Sequence, residues 1–170
     1  MRQQIIISGL GGQGAVTLTR LLAEAALASG LPVIASETHG MAQRGGTIIS
    51  MVKVGSFRGP LIPAGAADVG LFLYEKNLAV HRHYLKPGGI LVVNSAVQGN
   101  YLKVDALGLA AHSGLPAVAA NLIVLGFAAG RNLLFCRDAM LEEIIREKSP
   151  PRFCETNVQA FLTGIKAAAA

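Results

Sequence analysis

A chain of 170 residues is long enough to bury a core without a disulfide or metal staple, and it predicts a single domain over 1–170. An apolar share of 52% against 15% charged residues excludes a disordered chain and leaves little polar surface for a solitary monomer. The net charge of +5 is scattered from Arg2 to Lys166, and aromatics are 5% with no tryptophan, so nucleic acid is not an expected partner.

Residues 4–8 form a short Ile-rich run that stops at glycines and predicts a buried strand. Over 13–29 the apolar residues Val16, Leu18, Leu21, Leu22, Ala25 and Ala26 recur at helical spacing. Gly30 stands where a helix C-terminus expects it, with Pro32 beyond. A second buried strand over 33–35 completes a βαβ unit. Residues 37–46 are polar and end in glycines, a loop. The β-branched run 47–54 predicts a strand and 55–65 another loop. Next come a strand over 69–74, a helix over 76–85, a turn at Lys86-Pro87-Gly88-Gly89 and a strand over 90–93. Helical patterns follow at 117–129, 138–148 and 155–166. The alternation predicts an α/β fold: a three-layer, Rossmann-like domain with a mostly parallel sheet that has room for a mixed strand.

Several chemistries have no support. Cys136 and Cys154 form no metal or cluster motif, so no iron–sulfur centre is expected on this chain, and two unclustered thiols fit the reducing cytoplasm. The N-terminal apolar run is too short for a signal peptide. Residues 106–130 lack Asp, Glu, Lys and Arg but split at Gly114-Leu115-Pro116, short of a membrane span. They predict a buried or partner-facing helix. His81 and His83 do not share a helix face and fit a solvated last turn, so no metal site is expected. Ser8 and Ser36 have no identifiable base. Asn121, an amide in an apolar helix, needs partners within the domain or across an interface.

Gly9-Leu10-Gly11-Gly12-Gln13-Gly14 satisfies G-x-G-x-x-G between a strand and a helix. The first glycine permits the turn, the second admits a pyrophosphate and the third lets helix and strand pack closely. Glu37, at the end of the second strand, stands where a ribose-binding acid would. A helix terminus gives a bound anion at most about 2 kcal/mol, whereas micromolar affinity needs about 8 kcal/mol. Other groups must supply the rest. Arg44, Lys53 and Arg58 fall in a window with no acid between Glu37 and Asp68, a candidate anion or acidic-partner site.

The second constellation is Ser36-Glu37-Thr38-His39-Gly40-Met41-Ala42-Gln43-Arg44-Gly45-Gly46. At this spacing, GLGGQG with SETHGMAQRGG and the following TIISMVKVG resembles the gamma subunit of 2-oxoacid:ferredoxin oxidoreductases. Among these the chain is most similar to the small (beta) subunit of indolepyruvate:ferredoxin oxidoreductase. The likeness continues through ADVGLFLYE, LKPGGILVVNS and AANLIVLG. It implies a non-catalytic cytoplasmic subunit with no metal of its own. Larger companion subunits would hold thiamine diphosphate, Mg and 4Fe-4S clusters, and ferredoxin would be reached through the complex. The complex would convert a 2-oxoacid of the pyruvate or indolepyruvate type to its acyl-CoA. Coenzyme A is the one cofactor the resemblance brings near this chain. The residues it marks are Gly9, Gly11, Gly12, Gln13, Gly14, Glu37, His39, Gln43, Arg44, Gly45 and Gly46. No catalytic residue is carried over, and the isolated chain has room to form a homodimer. The rival from another class is a stand-alone NAD(P)-binding oxidoreductase or dinucleotide sensor, for which Glu37 speaks most directly.

Overall fold

Alternating apolar residues set the two faces of a central sheet. The computed structural model describes residues 1–39 and 46–170. Its strands are β1 (Gln3–Leu10), β2 (Val33–His39), β3 (Thr47–Val54), β4 (Ala67–Phe72), β5 (Leu85–Asn94) and β6 (Leu102–Val104). The helices are α1 (Ala15–Ala28), α2 (Leu78–His81), α3 (Ala106–His112), α4 (Ala120–Gly130), α5 (Asp138–Lys148) and α6 (Cys154–Ala168). The strands lie in the order β2-β3-β1-β4-β5-β6. Pairings from β1 outward to β6 are parallel, while β3 is antiparallel to both of its neighbours. The α/β, mostly parallel expectation therefore holds, with one reversed strand.

That reversed strand alters the opening unit. β1, α1 and β2 follow one another as expected, but β2 is not the neighbour of β1. The connection from β2 to β3 is too short for a crossover, so the two pair antiparallel. β3 then lies between β2 and β1, with Glu37 opposite Ser50 and Ser50 opposite Ile7. β2 also runs on to His39, so Glu37 is a strand residue rather than part of the predicted loop.

One face of the sheet, with Ile5, Ile7, Val52, Leu71 and Val92, packs against α1 and α4–α6. The other, with Ile6, Met51, Phe72 and Val93, is covered by Ile62, Leu78, Tyr84 and Tyr101. The covering on this second side is thin, because the helix expected over 76–85 is broken. Residues Glu75–Asn77 and Arg82–Tyr84 are 3-10 turns either side of the four-residue α2. Asn77 and His81 are both buried there by bonds to the end of β1. The predicted turn at 86–89 is instead an irregularity inside β5, which steps from Leu85 to Ile90 while β4 advances from Ala67 to Val69. β6 and α3 carried no pattern long enough to read.

Residues 120–129 of α4 are all buried. α6 covers this helix at a glycine crossing: a Cβ on Gly126 would stand 2.0 Å from the Phe161 carbonyl oxygen, and one on Gly164 would stand 2.1 Å from that of Ile123. Of the two expectations for the charge-free stretch, burial within the chain applies to α4. No helix among the described residues is long and apolar enough to cross a membrane.

Candidate functional site

Successive connections leave β1 and β4 toward opposite sides of the sheet, so their C-terminal ends frame the crevice where open α/β sheets take ligands. The glycine turn forms one lip. Gly12 and Gly14 have φ of 88° and 87°, the left-handed region that favours glycine. The Gln13 N–H donates to the Leu10 carbonyl at 3.1 Å, and the Leu10 N–H donates to Gln13 Oε1 at 2.7 Å. The Gly11 N–H donates to the Gly46 carbonyl at 2.9 Å, so the two glycine motifs meet at this point. His39 ends β2, and the residues marked at Gln43, Arg44 and Gly45 lie outside the described residues.

The space beside Gly14 is already taken. Asn121, 6% exposed, donates from Nδ2 to the Gly14 carbonyl at 3.2 Å. A Cβ on Gly14 would come within 2.2 Å of that nitrogen, whereas one on Gly12 would meet nothing within 4 Å. Both positions carry the left-handed penalty of about 1–2 kcal/mol. Only Gly14→Ala adds a clash, so it is expected to cost about 2–4 kcal/mol and Gly12→Ala about half as much. Denaturant melts of the two variants read the difference, and equal losses would show that Asn121 is not the constraint.

Beneath the turn lies a buried network with no visible signal in the sequence. Ser8 Oγ and His81 Nδ1 are 2.6 Å apart. Asn77 Nδ2 donates to Ser8 Oγ at 3.0 Å and to the Gly9 carbonyl at 2.9 Å. Ser8 Oγ thus accepts from Asn77 and shares a second hydrogen bond with His81 Nδ1, whose direction depends on the imidazole tautomer. Burial chiefly, and the nearby His83 secondarily, hold the imidazole below its ordinary 6.5. These placements correct two expectations: His81 is not on a solvated turn, and Ser8 does have a basic partner. Ser8 is fully buried, however, and cannot reach a substrate. The pair is a clamp under Gly9. A further half-buried carboxylate follows β4, where Glu75 accepts from Ser95 at 2.9 Å and from Tyr101 at 3.1 Å.

Other expected assemblies do not form. Glu37 is exposed on β2, two inter-strand spacings (about 10 Å) from β1, because β3 intervenes. The dinucleotide reading thereby loses its ribose acid from the strand beside the turn. Lys53 of the cationic window does not lie there either. Lys53 pairs with Gln4 at the opposite end of β1, is buried, and donates to the Leu61 carbonyl at 2.8 Å over the Phe57 ring. Cys136 is pushed up to about 11 by burial, an inert thiol. Among the described residues no group of three His, Cys, Asp or Glu could hold a metal.

A small cavity of about 230 Å³ opens between Gln13 and Asn121, walled by Leu73, Asn94, Leu107 and Val118. A larger surface depression, about 550 Å³ around Arg82, Lys86 and Tyr101, shares none of its lining.

Residues 4–167 match the pyruvate ferredoxin/flavodoxin oxidoreductase family. The chain belongs to this family. It is 32% identical to indolepyruvate oxidoreductase subunit IorB of Thermococcus kodakarensis, covering 96% of this chain and 95% of the relative. The gamma subunit of a keto/oxoacid ferredoxin oxidoreductase from Geobacter sulfurreducens has the same fold, with a TM-score of 0.79 and 27% identity over 99% of both chains. A 2-oxoglutarate:ferredoxin oxidoreductase from Magnetococcus marinus, solved with 2-oxoglutarate, coenzyme A and succinyl-CoA, contains the fold within a longer chain. It matches 99% of this chain but 31% of that one, with a TM-score of 0.79 and 19% identity. The family resemblance read from GLGGQG and SETHGMAQRGG is thus borne out along nearly the whole chain.

Proposed function

We propose that this chain is the non-catalytic, gamma-type subunit of a cytoplasmic 2-oxoacid:ferredoxin oxidoreductase. Larger companion subunits hold thiamine diphosphate, Mg and the iron–sulfur clusters. The assembled enzyme decarboxylates a 2-oxoacid of the indolepyruvate or pyruvate type, forms its acyl-CoA, and passes the electrons to ferredoxin. The observation that carries this reading is the end-to-end match to a relative that is itself a subunit. The site supports it chemically. The one serine–histidine pair among the described residues is sealed from solvent, and the crevice beside the glycine turn is small, with no charge on the described residues that line it. The role left to such a chain is to complete and shape a site formed elsewhere.

The test is reconstitution with companion subunits expressed from the same genome. The chain alone is expected to give no turnover with indolepyruvate or pyruvate, coenzyme A and a viologen acceptor. The companions alone are expected to gain at least tenfold when it is added. Turnover by the isolated chain, or companions indifferent to it, would refute the reading.

A further inference from the structure

We propose that the cavity between the glycine turn and the start of α4 seats an uncharged, carbonyl-bearing segment of the companion subunit, with Val118 at the centre of the contact. The inference rests on the subunit reading above and adds the face and the chemistry of the contact.

Three amide side chains wall the cavity, and the oxygen of each already accepts one backbone N–H. Gln13 Oε1 accepts from Leu10 N–H at 2.7 Å, Asn94 Oδ1 from Ala106 N–H at 3.0 Å, and Asn121 Oδ1 from Leu122 N–H at 2.7 Å. A backbone N–H can be met only by an amide oxygen, so these orientations are fixed. What the amides keep for a visitor is N–H. Gln13 Nε2 has no acceptor among the described residues, and Asn121 Nδ2 gives one of its two protons to Gly14 at 3.2 Å. The amides of this wall offer donors and seek an acceptor.

The acceptor is neutral. None of the described residues lining the cavity, or the two shallower hollows that share Val118 with it, is charged. An anion seated here would lose its hydration with no cation among the described lining residues to replace it. A volume of about 230 Å³ is also below the roughly 300–1,000 Å³ of ordinary ligand pockets, which suits an inserted side chain and its peptide group. The rim is apolar: Val118 is 56% exposed, Leu107 52%, Phe153 45% and Val16 44%. Val118 and Leu107 line the cavity itself, while Phe153 and Val16 line the two adjoining hollows that share Val118 with it; together they have the composition of an interface core.

A second copy of this chain is the poorer occupant. In an isologous dimer centred here the same patch would face itself, setting unpaired amide donors against unpaired amide donors. A different protein surface can supply the carbonyls. The fold also occurs as less than a third of a longer chain in the Magnetococcus marinus structure.

The experiment titrates the full chain against the companion subunits, following complex formation by size-exclusion chromatography with light scattering. Val118→Asp and Leu107→Lys change exposed positions on the rim. Leu27→Asp, at the far end of α1 and 62% exposed, is the control, and melting temperatures confirm that all three fold. Wild type and Leu27→Asp are expected to assemble equally, while each rim variant weakens assembly at least tenfold. Rim variants that assemble like wild type overturn this proposal alone. So does a wild-type homodimer that the rim variants abolish while companion binding survives. A wild-type chain that does not assemble overturns the subunit reading and this proposal with it.

Discussion

Gly164→Ala is expected to destabilise the chain by about 3 kcal/mol, lowering its melting temperature by about 6–12 °C. The residue sits inside α6, where alanine is the better helix former by about 1 kcal/mol, so helix propensity alone predicts stabilisation. Packing reverses the sign. The added Cβ would lie 2.1 Å from the Ile123 carbonyl oxygen and 2.7 Å from the Phe127 nitrogen. Both atoms are backbone and cannot swing aside as a side chain can. α4 would have to move, yet its other side is packed in the main core. Gly59→Ala is the control, since a Cβ there meets nothing within 4 Å, and it should stay within about 0.5 kcal/mol of wild type. If Gly164→Ala melts at or above wild type, the close crossing of α4 and α6 is wrong.

This crossing marks a limit of reading the chain from sequence. The absence of charge over 106–130 made the burial of α4 legible, but not its cover. The close approach depends on Gly126 and Gly164, 38 residues apart, and no local pattern joins them. The apolar runs at β1 and β3 were legible because both strands are buried on both faces and so read as nearly continuous apolar stretches. The place of β3 was not, because sequence order favours pairing β1 directly with β2. Lys76 to Leu85 misled for another reason. The helical spacing was adequate, but the bonds of Asn77 and His81 to the end of β1 outweigh helix continuity in so short a segment.

The candidate site was legible in its backbone and much less so in its chemistry. Glycine spacing located the turn, and the pairing of Gly11 with Gly46 unites two motifs that were read separately. The anion reading assumed that nearby charges in sequence gather in space. Lys53 fails this because β3 runs antiparallel to β1 and carries it to the far end of the sheet. Asn121 was recognisable as an amide in need of partners, though only the fold could reveal that it fills the space beside Gly14. With that space filled, the third glycine of the motif serves helix packing, and the binding chemistry moves to the amides around the neighbouring cavity.

The network under the turn leads to the second large effect. Asn77→Ala removes two buried hydrogen bonds at once, those to the Ser8 hydroxyl and the Gly9 carbonyl. Unsatisfied buried groups cost about 1–3 kcal/mol each, so a total of about 3 kcal/mol and a fall of about 6–12 °C in melting temperature are expected. His81 gives the network a signature in pH. The unfolded imidazole takes up a proton near 6.5, while the folded one resists until lower pH. Below 6.5 the unfolded state therefore binds more protons, and stability falls with pH until the folded imidazole also titrates. His81→Asn keeps a hydrogen-bonding partner for the Ser8 hydroxyl but cannot titrate. Its melting temperature should fall less than that of wild type between about pH 7 and pH 5. The exposed His83, packed on Tyr84 at 4.4 Å between ring centroids, is present in both proteins, so the difference between the profiles reads His81 together with its repulsion from His83. Parallel pH profiles would mean that His81 carries no linked proton.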